Sequence, residues 1–222
     1  ALVTDELIEF HREVAAGGVA MSTVAYCAIS PEGRTDRHQI WMRPEAVPGL
    51  RRLTDAIHAE GALAAAQLGH AGAVANSASN RAASLGPSRI PAPMGMSVTR
   101  AIGVDDIADL RTTFRRAARL AVDSGFDGLE IHCGHNYLIS SFLSPLLNRR
   151  RDAYGGSLVN RARLAREVDT LARVRSQRIA PVFDAPVAVE EADRGGIPLT
   201  VKMRKGIDGD HLTYLDAGET AR

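Results

Sequence analysis

Three groups of polar side chains follow short apolar runs, where they could meet a small molecule: Tyr26-Cys27, Gln67-Leu68-Gly69-His70, and His132-Cys133-Gly134-His135-Asn136-Tyr137. In parallel α/β folds ligands bind at the carboxyl ends of strands, so polar residues placed there carry information. The Gln67 amide both donates and accepts hydrogen bonds, which suits a heterocycle edge bearing N–H and C=O groups. His132 and His135 can donate to a developing anion, and Tyr137 can supply a proton. Each residue also has a plain structural reading, because a lone histidine at a strand end is most often a satisfied structural residue. The histidine pair has no acidic or thiolate partner at recognisable spacing, so zinc is not expected. Cys133 stands among apolar and small residues and reads as a buried, inert thiol. Alone, these clusters predict a small-molecule site and no particular reaction.

The elements that must position these groups alternate strand with helix. Thr4 reads as an N-cap, with Asp5 and Glu6 in the first turn. Leu7, Ile8, His11, Val14 and Ala15 share one helical face, and Gly17-Gly18 ends the helix. Strands are expected at 19–26, 62–67, 129–132 and 199–203. Further helices are expected at 47–59, along the stripe Ile107, Leu110, Phe114, Ala117, Ala118 and Ala121, at 158–176 and at 212–221. The stretch 70–103, rich in Gly, Pro, Ser and Asn, is too long for a simple connection and reads as a functional loop. Residues 177–198 carry Pro181, Pro186 and Pro198 and show no readable element. Strand alternating with helix, without hairpins, implies parallel βαβ units. Periodicity leaves a barrel and a doubly wound sheet equally open.

Composition narrows the class. A chain of 222 residues can bury one sizeable core, and its residues 1–222 are expected to form a single domain. The net charge of +1 argues against a general pull toward nucleic acid or a membrane surface. Two cysteines are too few for a disulfide framework or a four-cysteine iron–sulfur site. No apolar run reaches the ~18 residues of a membrane span, and no signal peptide opens the chain, so the cytoplasm is the expected compartment. A parallel α/β chain that begins on a helix lacks the strand before it, which predicts an incomplete fold.

A longer pattern surrounds the third cluster. The string from Phe126 through Glu130, His132, His135 and Tyr137 to Leu138 continues as Ser141-Phe142-Leu143-Ser144-Pro145, Asn148-Arg149-Arg150, Asp152, Tyr154-Gly155-Gly156-Ser157 and Asn160-Arg161. It resembles the fourth-strand signature of the old yellow enzyme family. Ser30-Pro31-Glu32-Gly33-Arg34 and Gln67-Leu68-Gly69-His70-Ala71-Gly72 resemble the same family in the same order, and the likeness covers about residues 1–168. The resemblance implies a (β/α)8 TIM barrel with FMN at its mouth. NADH or NADPH would reduce the flavin, and the flavin would pass hydride to an activated alkene. It also implies that Gln67 bonds the flavin's pyrimidine edge and that Tyr26 lies along the isoalloxazine through its backbone. His132 and His135 would hold the substrate's electron-withdrawing oxygen, and Tyr137 would donate the proton.

The departures are equally specific. The family's first strand, expected before Ala1, and its last strands, expected after Arg222, are missing from the sequence, so the barrel is expected to be partial, with open edges that favour a homo-oligomer. From about residue 197, Pro198-Leu199-Thr200-Val201-Lys202-Met203-Arg204-Lys205-Gly206 resembles a tRNA-dihydrouridine synthase, also an FMN barrel. Lys202 serves either reading as a cation beside the N1–O2 edge of the reduced flavin. A lysine snorkelling from a strand end is its structural alternative. Three functions follow: an ene-reductase acting on a small enone-type substrate, a tRNA-dihydrouridine synthase, and a truncated barrel without catalysis. The near-neutral charge and the histidine pair weigh against tRNA.

Overall fold

The structure, a computed structural model, describes residues 2–172 and 180–182. Lys202 and the elements expected at 199–203 and 212–221 lie outside the described residues. Four strands, β1 (Met21–Ala28), β2 (Leu63–Gly69), β3 (Gly128–Ile131) and β4 (Ala180–Val182), form one sheet in the order β1-β2-β3-β4. All three pairings are parallel, as crossover helices require. Helices α1 (Asp5–Ala16), α2 (Val47–Ala59) and α3 (Val104–Asp123) lead into β1, β2 and β3 in turn, and α4 (Leu138–Leu143) and α5 (Arg163–Ala172) follow β3.

Local sequence accounts for these elements. The Thr4 hydroxyl accepts from Leu7 N–H and caps α1. The Asp106 carboxylate accepts from Gly103 N–H at 2.6 Å and closes the first turn of α3. The stripe read along α3, from Ile107 to Ala121, is buried. It packs with Leu50, Leu53 and Ile57 of α2 and with Ala64, Ala66, Leu68, Leu129 and Ile131 of the strands. Those strand residues alternate, so the intervening residues of β2 and β3 face the other side of the sheet. They are Ala65, Gln67 and Gly69 on β2, and Gly128, Glu130 and then His132 along β3. Gln67 and His132 therefore share one face, the arrangement that the barrel reading requires.

Three features depart from the sequence reading. The helix expected at 158–176 is a turn, Leu158–Arg161, followed by α5, with Ala162 outside both. Around that break Arg161 and Arg163 donate to the carbonyls of Leu143 and Ala153. The stretch at 177–198 contains strand β4, in which Pro181 aligns with Leu129. The long loop is structured: Leu85–Gly86 pairs with Arg100–Ala101, and Pro91–Ala92 with Ser97–Val98. Arg150 fastens that loop by donating to the carbonyls of Pro87 and Ile102 while its other nitrogens hold Asp152.

Candidate active site

Four backbone hydrogen bonds tie the strand ends and their loops together. Ile29 N–H donates to Gly69 O at 3.0 Å, Ala71 N–H to Gly33 O at 2.7 Å, His132 N–H to Leu68 O at 2.9 Å, and Leu138 N–H to His70 O at 2.9 Å. The three motifs read from sequence thus meet through main chain before any side chain is considered. Gly72 makes the last link possible. Its φ is +60°, and a Cβ there would lie 2.7 Å from Leu138 N.

A β-bulge brings Tyr26 into the group. Val24 aligns with Ala66 and Cys27 with Leu68, so β1 spends one more residue than β2 over this interval. Such an insertion re-aims a side chain. Cys27 turns into the core, where burial pushes its thiol up to about 12 and keeps it protonated. The Tyr26 ring turns the other way, stacked at 6.1 Å on His132 and edge-on at 5.2 Å to Tyr137. Its hydroxyl donates to Gly33 O at 2.8 Å, and its carbonyl accepts from the Gln39 amide at 2.8 Å. The sequence reading gave Tyr26 only a backbone role; in the structure its ring forms a wall of the site. Gly69 leaves room beneath it, since a Cβ there would sit tightly, 3.0 Å from Tyr26 Cδ2 and 3.2 Å from His132 Cβ.

His132 is buried, while His135 and Asn136 are exposed. Both exposed residues adopt left-handed backbone, with φ of 58° and 56°. Non-glycine residues held there store strain, of order 1–3 kcal/mol each, and such strain gathers at functional sites. The tight turn folds His135 back so that its Nδ1 lies 3.0 Å from His132 Nε2. The Tyr137 ring stands 4.6 Å from His132 and 6.0 Å from His135. Burial raises the Tyr137 hydroxyl pKa, partly offset by a hydrogen bond with Tyr26, so Tyr137 keeps its proton at neutral pH. Cys133 is half-buried rather than buried, contrary to the sequence reading.

Gln67 is 4% exposed, and its Nε2 donates to Glu130 at 2.5 Å. The sequence reading overlooked Glu130, although a carboxylate inside an otherwise apolar strand was a usable signal. Behind the group, the His70 ring is buried, accepts Gly72 N–H at Nδ1, and is pulled down to about 4 by desolvation, with Glu32 opposing. His70 Nε2 and Ser30 Oγ are buried without hydrogen-bond partners among the described residues. The described residues hold no cluster of three or more metal-ligating side chains. None of their helices is long and apolar enough to cross a membrane.

A parallel sheet with polar side chains converging at its carboxyl edge defines a class of small-molecule barrel and sheet enzymes. The old yellow enzyme homologue from Zymomonas mobilis shares the fold with a TM-score of 0.70 and 28% identity, over 77% of this chain and 50% of that one. The NADH:flavin oxidoreductase / NADH oxidase family model matches residues 1–219, and the chain belongs to that family, which includes the old yellow enzymes. The match runs through the segment that also resembles a dihydrouridine synthase. A 4,4'-dithiodibutanoate disulfide reductase of Rhodococcus erythropolis is 55% identical over 172 residues, 78% of this chain and 43% of the relative. An NADPH dehydrogenase of Halalkalibacterium halodurans is 38% identical over 90% of this chain and 60% of its own. The chain therefore spans about half the length of these proteins.

Proposed function

We propose that this chain is the core of an FMN-dependent oxidoreductase that draws on NADH or NADPH and reduces an activated alkene of the enone type. The observation that carries the reading is the convergence of Tyr26, Gln67, His132, His135 and Tyr137 on one face at the strand ends of a member of this family. In the whole protein the parallel sheet closes into a (β/α)8 barrel around that face.

The residues fit the flavin. On the inner face of β2 stands a buried amide able to donate and accept, Gln67, and at the strand ends lie the Tyr26, His132 and Tyr137 rings, a set of polar and aromatic groups suited to a heterocycle. Bound FMN would supply two-electron transfer between nicotinamide and substrate. Gln67 would hold its pyrimidine edge and Tyr26 would flank the ring, while Lys202 is assigned to the N1–O2 edge. His132 and His135 would bond the substrate carbonyl oxygen, make its β-carbon electrophilic and take up the charge of the enolate. Tyr137, kept protonated, would deliver the proton to the substrate carbon.

The 55% identical disulfide reductase favours a second substrate for the same site, an organic disulfide. Two electrons and two protons would convert it to two thiols, with the same donors serving the leaving thiolates. The deciding experiment uses the whole protein. Flavin absorbance is read first, then turnover with NADPH and cyclohexenone, 4,4'-dithiodibutanoate or unmodified tRNA. Flavin with enone turnover supports the leading reading, and disulfide turnover alone selects the second. Turnover of tRNA would move the chain to the dihydrouridine synthases, and a colourless protein that takes up no FMN would make it non-catalytic.

A further inference from the structure

We infer that Glu130 is a positioning residue that fixes which end of the Gln67 amide faces the ligand, and so selects a ring edge presenting N–H. This rests on the flavin reading above. Gln67 and Glu130 are register partners on the adjacent parallel strands β2 and β3. Both side chains stand on the inner face, and Gln67 Nε2 donates to a Glu130 carboxylate oxygen.

A buried glutamine amide can ordinarily be turned over, because its two ends are nearly equal in shape. A carboxylate removes the choice. Its oxygens only accept, so the NH2 end must face Glu130, whereas the reverse orientation would set two acceptors against each other. The Gln67 carbonyl oxygen is then committed to the remaining side as an acceptor. An acceptor in that place recognises a donor, and the N3–H of an isoalloxazine, flanked by two carbonyls, is such a group. The same oxygen would repel a ring whose N3 carries a methyl group.

The test compares FMN with N3-methyl-FMN, each titrated into the whole protein after its flavin has been stripped, with binding followed by fluorescence quenching. Glu130→Gln keeps the size of the side chain but lets either amide end face Gln67. Its FMN dissociation constant should rise about tenfold, the scale of one hydrogen bond to a charged group. N3-methyl-FMN binding should barely change, so the parent's preference for FMN collapses. Glu130→Leu, which gives Gln67 no partner, should lose the same preference. A variant that is merely less stable would weaken both ligands equally, and melting temperatures recorded alongside identify that case. FMN uptake with an unchanged preference in Glu130→Gln would overturn the inference alone. A parent protein that takes up no FMN would overturn the flavin reading and the inference with it.

Discussion

The two ends of the sheet are built on different principles. At the amino ends one solution recurs three times. Each of α1, α2 and α3 ends in a glycine with left-handed backbone, Gly18, Gly61 and Gly125, at φ of 89°, 84° and 85°. Each glycine N–H returns to a carbonyl of the last helical turn at 2.9 Å, the usual way to finish a helix and turn the chain back. One carboxylate then locks the joints, since Asp127 accepts from Ala64 N–H at 2.8 Å and meets His58 at 2.7 Å. At the described carboxyl ends, those of β1, β2 and β3, nothing recurs. The bulge at Tyr26, the close crossing at Gly72 and the left-handed pair His135-Asn136 are each built once. Repeated, unstrained joints serve stability, and individual, strained ones hold side chains in place.

The division is broken most directly by kinetics, where the largest effect is expected. In the flavin-loaded whole protein, Tyr137→Phe should slow reduction of an enone by about 10²–10⁴, the usual worth of a positioned proton donor. Reduction of the flavin by nicotinamide should be unchanged, because that half-reaction needs no proton at the substrate carbon. Replacing both His132 and His135 with Ala should cost about 10²–10³ in enone reduction and weaken phenol binding. Stopped-flow traces of the two half-reactions, beside melting temperatures, check both expectations. Equal slowing of both half-reactions in Tyr137→Phe would remove its role.

A pair of glycine variants sharpens the contrast at an intermediate magnitude. Gly61 and Gly72 both have positive φ, but a Cβ at Gly61 would meet open space, whereas one at Gly72 would lie 2.7 Å from Leu138 N and 2.8 Å from its Cα. Gly61→Ala should therefore cost only the backbone penalty of about 1–2 kcal/mol. Activity per folded molecule should stay at the parent level. Gly72→Ala adds a clash to the same penalty and should cost about 3 kcal/mol. It should also impair enone reduction, since Leu138 is the neighbour of Tyr137. Denaturant unfolding measures the first quantity and turnover per bound flavin the second. An equal loss of specific activity in both variants would erase the distinction between the ends.

The same contrast explains what could be read without coordinates. The amino ends follow from local rules, so Thr4, Gly17-Gly18 and the stripe of α3 were all legible as punctuation and period. The carboxyl ends were legible as a set of residues, through the family-like strings, and not as geometry. A bulge is a relation between two strands, and neither Ala25-Tyr26 nor Gln67 announces it alone. Glu130 stayed hidden because the run Leu129-Glu130-Ile131-His132 was read for its apolar members, while the meaning of the carboxylate depends on Gln67, its partner 63 positions away in the chain. Strand β4 was lost to Pro181, a residue that disfavours central strands in isolation.

The last effect concerns pH, is smaller than that of Gly72→Ala, and falls on a residue of the carboxyl end. His70 is buried and neutral, its pKa drawn down to about 4, whereas in the unfolded chain it should titrate near 6.5. Above pH 6.5 both states are unprotonated at this residue and it adds no pH dependence. Between 6.5 and 4 the unfolded chain takes up the proton first, so stability falls as pH falls, and below 4 this residue costs nothing more. By pH 5 the loss should be about 2 kcal/mol. Burial lowers His11 too, in the same direction, from its place behind β1 against Ser22. Urea unfolding at pH 7, 6 and 5 reads the slope above the range where most carboxylates titrate. His70→Gln keeps a polar group near Gly72 N–H without an ionising ring, and it should flatten most of that slope. If the variant keeps the parent's full slope, the acid sensitivity belongs to other histidines and His70 is protonated without penalty in the folded protein.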